Sequence, residues 1–208
     1  MPTKTSPRSN ADRSAATRLK LLEGTVDCLH QFGYAATTTI AVCKITGVAR
    51  GGMLHHFPAK VDLIVAAGEH ALNCMREQRV GHVAGVDGPP PRPEAIMEVE
   101  VGRYGVAITE IMVGSRSDAE LAARFAPLAE IILNAQRAAA ANMARVWGVE
   151  DVAALEAMVW LHMAAMRGMA LMKMAGVDSG ATPQALALIS AHRQSIVERL
   201  RAKDAEAG

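Results

Sequence analysis

The sequence predicts an all-α chain with a small basic head and a larger acidic body, and three observations carry that prediction. Apolar residues recur every three to four positions, and no run alternates with period two for long enough to make a strand. Clusters of glycine and proline cut these periodic stretches into helix-sized pieces. Charge divides the chain as well: residues 1–60 hold eight Lys/Arg against three Asp/Glu, whereas residues 61–208 hold fourteen against eighteen. A net charge of +1 for the whole says little, but a basic head on an acidic body points a polyanionic partner at the head alone.

The elements follow in order. Residues 1–12 form a polar, basic arm. It reads either as a solvated tail or as a segment whose Lys4 and Arg8, with Arg13, reach phosphates or a minor groove. Leu21, Leu22, Thr25, Leu29 and Phe32 then set a helical stripe, which Gly33 ends. The run "TTT" at 37–39 offers an N-cap. Two short helices, Ile40 to Ile45 and Arg50 to Phe57, flank the tight turn Thr46-Gly47-Val48, the pattern of a helix-turn-helix. Pro58 stops the second and suits the first turn of the next, which runs to about Val83 with Val61, Ile64, Val65, Leu72 and Met75 turned to the core. "GHVAGVDGPPPRP" at 81–93 is a linker. Beyond it, helices are expected at 93–113, 117–125, 127–147, 151–175 and 182–204, broken at Gly114-Ser115, Pro127, Gly148 and "GVDSGATP". The total is about nine.

Several chemistries are set aside. Cys28, Cys43 and Cys74 are odd in number and form no C-x-x-C pair, so neither a disulfide framework nor a zinc site is expected. The N-terminus lacks the apolar run of a secretory signal. The most apolar stretch, 152–176, is interrupted by Glu156, His162, Arg167 and Lys173, which a membrane span would not normally carry. The reading is a cytoplasmic protein without a membrane partner. No Glu-x-x-His pair, nucleophile elbow, H-E-x-x-H or phosphate loop occurs. No catalytic residue, metal or cofactor is therefore expected.

The second helix of a helix-turn-helix lies in the major groove with its first residues nearest the base edges. Here those are Ala49, Arg50, Gly51 and Gly52. Arg50 can pair with guanine O6 and N7, worth about 1–3 kcal/mol of discrimination. The glycines cost about 1 kcal/mol each in helix propensity and remove bulk where backbone approaches DNA. Met53 and Phe57 face inward. His55 and His56 point about 100° apart on a helix and have no Cys, Asp or Glu near them between Ile45 and Val61, so DNA contact suits them better than a metal. Thr38, Thr39 and Lys60 sit at helix starts suited to phosphate.

The stretch "GYAATTTIAVCKITGVARGGMLHHFPAKVDLI" (33–64) strongly resembles the N-terminal domain of the TetR-like (tetracycline-repressor family) transcriptional regulators, and the likeness covers about residues 14–70. It implies base contact by Arg50, Gly51, Gly52, Leu54 and His55, and phosphate contact by Thr38, Thr39, His56 and Lys60. Three residues depart from the family pattern. Leu54 stands where a phosphate-bonding tyrosine is usual, Ala49 where a serine cap is usual, and Ile40 where a polar or basic residue helps read the groove.

The resemblance also implies an N-terminal DNA-binding domain at 13–60, a connecting helix at 61–83 and an effector-binding, dimerisation body at 84–208. Its expected partners are a double-stranded DNA operator, a small-molecule effector and a second copy of the chain. The expected activity is that of a repressor released from a pseudo-palindromic operator by a small apolar or amphipathic effector. Expected pocket residues are Met97, Tyr104, Ile108, Met112 and Phe125, with Met143, Trp147, Trp160 and His162. The last two long helices carry the expected dimer face: Leu155, Val159, Met163, Met166 and Ala170, with Leu186, Ile189, Ile196 and Leu200. An apolar helix at 152–175 serves equally as an intrachain core. A dimeric all-α interaction protein with weakened DNA binding stays open, as, more remotely, does an all-α enzyme.

Overall fold

The computed structural model describes residues 9–81, 89–177 and 180–207. Most of the basic arm, the middle of the 81–93 linker and part of "GVDSGATP" lie outside the described residues. Among those described there are ten helices and no strand: α1 (Asn10–Ala36), α2 (Thr39–Thr46), α3 (Arg50–His56), α4 (Lys60–Gly81), α5 (Pro93–Val101), α6 (Arg103–Gly114), α7 (Ala119–Arg124), α8 (Ala126–Trp147), α9 (Val152–Met174) and α10 (Thr182–Ala207). The all-α expectation holds.

Helix α1 starts on a capping box, in which Ser9 Oγ accepts the Asp12 amide and Asp12 accepts the Ser9 amide. Its backbone breaks at Gly33, where φ is 76°, a left-handed conformation that glycine enters without a Cβ clash. Leu21, Leu22, Val26 and Leu29 of its inner face close on Val42 of α2, Met53 of α3, Phe57, and Leu63 and Ile64 of α4. Phe32 belongs to the expected stripe but is 54% exposed.

The same apolar cluster continues into the body. Ala107, Ile108 and Ile111 of α6, Leu121 of α7 and Leu128 of α8 are members of it. A second cluster joins Ala140 and Met143 of α8 to Leu155, Met158 and Val159 of α9 and Val197 of α10. A third joins Met97 of α5 to Met166 and Ala170 of α9 and Leu186 of α10.

The expected single helix at 93–113 is two, because Gly102 is extended (φ −69°, ψ 166°) and its amide closes α5 onto the Glu98 and Val99 carbonyls. The turn is tight enough that a Cβ on Gly105 would lie 2.2 Å from the Glu100 carbonyl oxygen. Pro58 stands two residues before α4 rather than in its first turn.

Inside the body, Glu100 is fully buried and accepts from Arg79 and Arg167. Between α9 and α10, His162 Nε2 and His192 Nδ1 are 2.9 Å apart. Burial, with His192 and Arg193 nearby, pushes the His162 imidazole down to about 4.

Two predictions follow from this packing. Gly105→Ala forces methyl against backbone, and urea unfolding should show a loss of about 1–3 kcal/mol; an unchanged midpoint would contradict the tight turn. His162 stays neutral when folded but takes a proton at about 6.5 when unfolded. The unfolded state therefore binds more protons between those values, and stability falls as pH falls through that window. His162→Gln should lose less stability than the wild type between pH 7 and pH 5, read as paired urea midpoints.

Candidate nucleic-acid interface

The head presents one short helix on a rigid support. Thr38 is extended and its Oγ1 accepts the Ala41 amide at 3.1 Å, starting α2. Gly47 ends α2 in the left-handed region (φ 65°, ψ 14°), which turns the chain sharply into α3. The Thr46 hydroxyl donates to the Val42 carbonyl at 2.7 Å and accepts the Val48 amide at 3.3 Å. A Cβ on Gly24 would lie 2.2 Å from Thr46 Cγ2, so α1 and the end of α2 touch directly. Met53 and Phe57 anchor α3 in the core, and the Arg18 guanidinium lies 4.5 Å from the Phe57 ring centre.

With that inner face fixed, Arg50, Gly51, Gly52, Leu54 and His55 all lie exposed on α3. Nothing stands within 4 Å of a Cβ on Gly51, and one on Gly52 would meet only Val48 Cγ1 at 3.5 Å. The fold itself does not require these glycines. Ala49 gives α3 no side-chain cap, and Leu54 and Ile40 offer exposed hydrocarbon where the family pattern places polar groups. The His55 and His56 rings meet edge to face at 5.5 Å. His56 is half-buried, as are Thr39 and Lys60, while Thr38 is exposed.

Lys60 also belongs to a junction with the body. Its ammonium lies 4.3 Å from the Tyr34 ring centre. Tyr34 donates its hydroxyl to Asp118 at 2.5 Å and its amide to Glu110 at 2.8 Å. Burial and the Asp118 carboxylate raise the phenol above its ordinary value. Gly114 makes room for the ring, since a Cβ there would lie 2.5 Å from it. Sequence reasoning missed this contact, although "GY" at 33–34 marks where it forms.

The body corrects two expectations. The nine expected pocket residues are spread over separate packed clusters. Tyr104, Ile108, Met112 and Phe125 pack in or on the first cluster, Met97 in the third, and Met143 and Trp147 in or on the second. His162 is buried beside His192, whereas Trp160 is 57% exposed. Of two surface grooves, one of about 380 Å³ runs past Trp147, an expected pocket residue, with Arg193 and Val197, and one of about 440 Å³ runs past Glu94, Lys173 and Leu186.

The expected dimer face is likewise turned. Leu155, Val159, Met166, Ala170 and Leu186 are buried within the chain, and Met163, Ile189, Ile196 and Leu200 are half-buried against the same clusters. Helix α9 leaves exposed a stripe of Ala157, Trp160, Leu161, Ala164, Gly168, Leu171 and Met172, along with Val152, Ala153, Glu156, Ala165, Lys173 and Met174. Leu188 of α10 is 71% exposed.

The open glycines generate a test of the fold. Gly51→Ala and Gly52→Ala should each leave stability unchanged or raise it by up to about 1 kcal/mol, read by thermal unfolding. A loss would mean that the glycines serve the fold.

Residues 21–67 match the family model for bacterial regulatory proteins of the tetR family. An uncharacterized HTH-type transcriptional regulator of Mycobacterium tuberculosis is 25% identical over 118 residues, 55% of this chain. The chain spans 60% of that relative's length. The HTH-type transcriptional regulator CymR of Pseudomonas putida is 32% identical over 77 residues, 37% of this chain and 38% of CymR. Among solved structures, a regulator from Rhodococcus sp. assigned to the TetR family aligns with a TM-score of 0.71 at 15% identity, over 88% of this chain and 99% of its own. Salmonella enterica GusR aligns with a TM-score of 0.58 at 22% identity, over 96% and 100%. The head thus matches the tetR-family model over residues 21–67, and the chain shares its fold along nearly its whole length with these solved structures.

Proposed function

We infer that the protein is a homodimeric repressor that reads a pseudo-palindromic DNA operator through α3 and releases it when a small effector enters the body. The observation that carries this reading is the outer face of α3. Its one long cation, Arg50, stands beside two glycines that the fold does not need. Bare backbone there admits close approach to base edges, and Arg50 supplies the bidentate donor for guanine. Leu54 and His55 complete the base-facing set. Thr38, Thr39, His56 and Lys60 border it as phosphate contacts, which position the head without reading sequence. Such a partner places the protein in the cytoplasm.

One head reads a half-site, so two copies are needed for a palindrome. The exposed stripe on α9 supports their pairing: Ala157, Ala164 and Gly168 allow close backbone approach, while Trp160, Leu161, Leu171 and Met172 supply apolar area. A contiguous apolar surface of this kind marks an interface, and a two-fold axis brings the same stripe against itself. For the effector, the anchor is the buried Glu100 with the half-buried Arg79 and Arg167. Arg79 Nε has no acceptor among the described residues, leaving a buried donor for an amphipathic ligand's polar end.

Selection of bound sequences from a random DNA pool tests the reading. An inverted repeat with a guanine in each half-site is expected, and absence of any salt-sensitive, sequence-dependent retention would overturn it. On that operator, Arg50→Ala should cost about 1–3 kcal/mol and relax specificity at one base pair. Lys60→Ala should weaken all sequences alike and lower the salt slope by about one.

A further inference from the structure

Three donors of different chemistry meet where α1, α4 and α6 converge. His70 and Cys74 lie one turn apart on α4, with Cys74 Sγ 3.7 Å from His70 Nε2. Glu23 comes from α1, and its Oε1 is 2.6 Å from the same nitrogen. All three donor atoms lie within 4.8 Å of one another, the one such trio of His, Cys, Asp or Glu among the described residues. The Tyr104 hydroxyl is 3.2 Å from Glu23 Oε1. Arg103 holds Glu23 Oε2 and, at 2.6 Å, Asp27 Oδ1. The side chains of His70 and Glu23 are 18% and 30% exposed, so solvent reaches the cluster.

We propose that Glu23, His70 and Cys74 form a divalent transition-metal site, with zinc as the metal its donors suit best. Zinc takes imidazole, thiolate and carboxylate at about 2.0–2.3 Å in a tetrahedron, which sets donor–donor edges at about 3.3–3.8 Å. The nitrogen–sulfur edge already has that length. The oxygen–nitrogen edge opens by about 0.7 Å when the metal replaces the hydrogen bond, a small rotation of two half-exposed side chains. A thiolate and a carboxylate neutralise a divalent ion, and Asp27 offsets the charge of Arg103. By holding Oε2, Arg103 turns Oε1 toward His70. A fourth position is left for water. Protons compete with a metal for such ligands, so affinity falls as pH is lowered.

The site ties the head to the connecting helix, since Glu23 is 47 residues from His70. That separation hid it from a search for close cysteine pairs, and only the i, i+4 spacing of His70 and Cys74 marked it. On the DNA-binding reading above, an occupied site fixes α1 against α4 and sets the angle at which α3 is offered to the groove.

The test uses the full chain, freed of metal and titrated with zinc against a chromophoric chelator, with cobalt(II) as the spectroscopic stand-in. One equivalent per chain and a thiolate-to-cobalt charge-transfer band are expected. Both should vanish in Cys74→Ser and persist in Cys43→Ser, with helical content by circular dichroism showing that the variants fold. Glu23→Gln should weaken zinc without removing the band. No stoichiometric binding, or a band that survives Cys74→Ser, overturns the site. Zinc-loaded and zinc-free protein should then bind the selected operator with affinities at least about fivefold apart. Equal affinities overturn the regulatory role alone. Failure of both forms to select DNA overturns the DNA-binding reading instead, while the titration still decides the site.

Discussion

Helix α6 is seated against both α1 and α4, and the rest of the molecule depends on that seat. Ala107, Ile108 and Ile111 sit in the same apolar cluster as Leu21, Leu29 and Met53, so the head is not an independent bead on a tether. A head as small as residues 9–60 buries too little surface to be robust alone. Sharing a core with the body stabilises it and transmits displacement, because close-packed interiors shift as units rather than deform. The polar contacts at the same seam, Tyr34 with Asp118 and Glu110, and Arg103 with Glu23 and Asp27, give that seat one register.

Helix α3 shows the opposite pattern. Its inner face is fixed by Met53 and Phe57, its start lacks a side-chain cap, and its outer face is two bare glycines and an arginine. Stability for these seven residues comes almost entirely from α1 and α2. A helix this short is marginal in isolation, so tertiary support lets its surface be chosen without regard to propensity.

Much of this was legible in the sequence. The helix-turn-helix was marked by Gly47, the threonine cap and the Met53/Phe57 spacing, because local rules govern each. The break at Gly102 was not, since an apolar periodic run gives no sign that Gly105 must pass the Glu100 carbonyl. Helix α9 is apolar on every side. Periodicity therefore identified a helix but could not tell which stripe meets the chain's own core, and the expected face came out turned inward. Pocket residues were chosen by type alone, and type does not bring distant helices together. The Glu23, His70 and Cys74 trio depends on the α1–α4 packing, which no local signal encodes.

Lys60 draws the two ends of the molecule together in a further way. Its ammonium rests on the Tyr34 ring, a contact worth about 0.5–1 kcal/mol at such a site, and Tyr34 in turn is held by the body. In the proposed complex a backbone phosphate claims the same ammonium. Phosphate and phenol ring are then rival ligands for one charge, and thermodynamic reciprocity applies. Whatever tightens the hold of the body on Tyr34 must alter the cost of giving Lys60 to DNA, and DNA that takes Lys60 must loosen that hold by the same free energy.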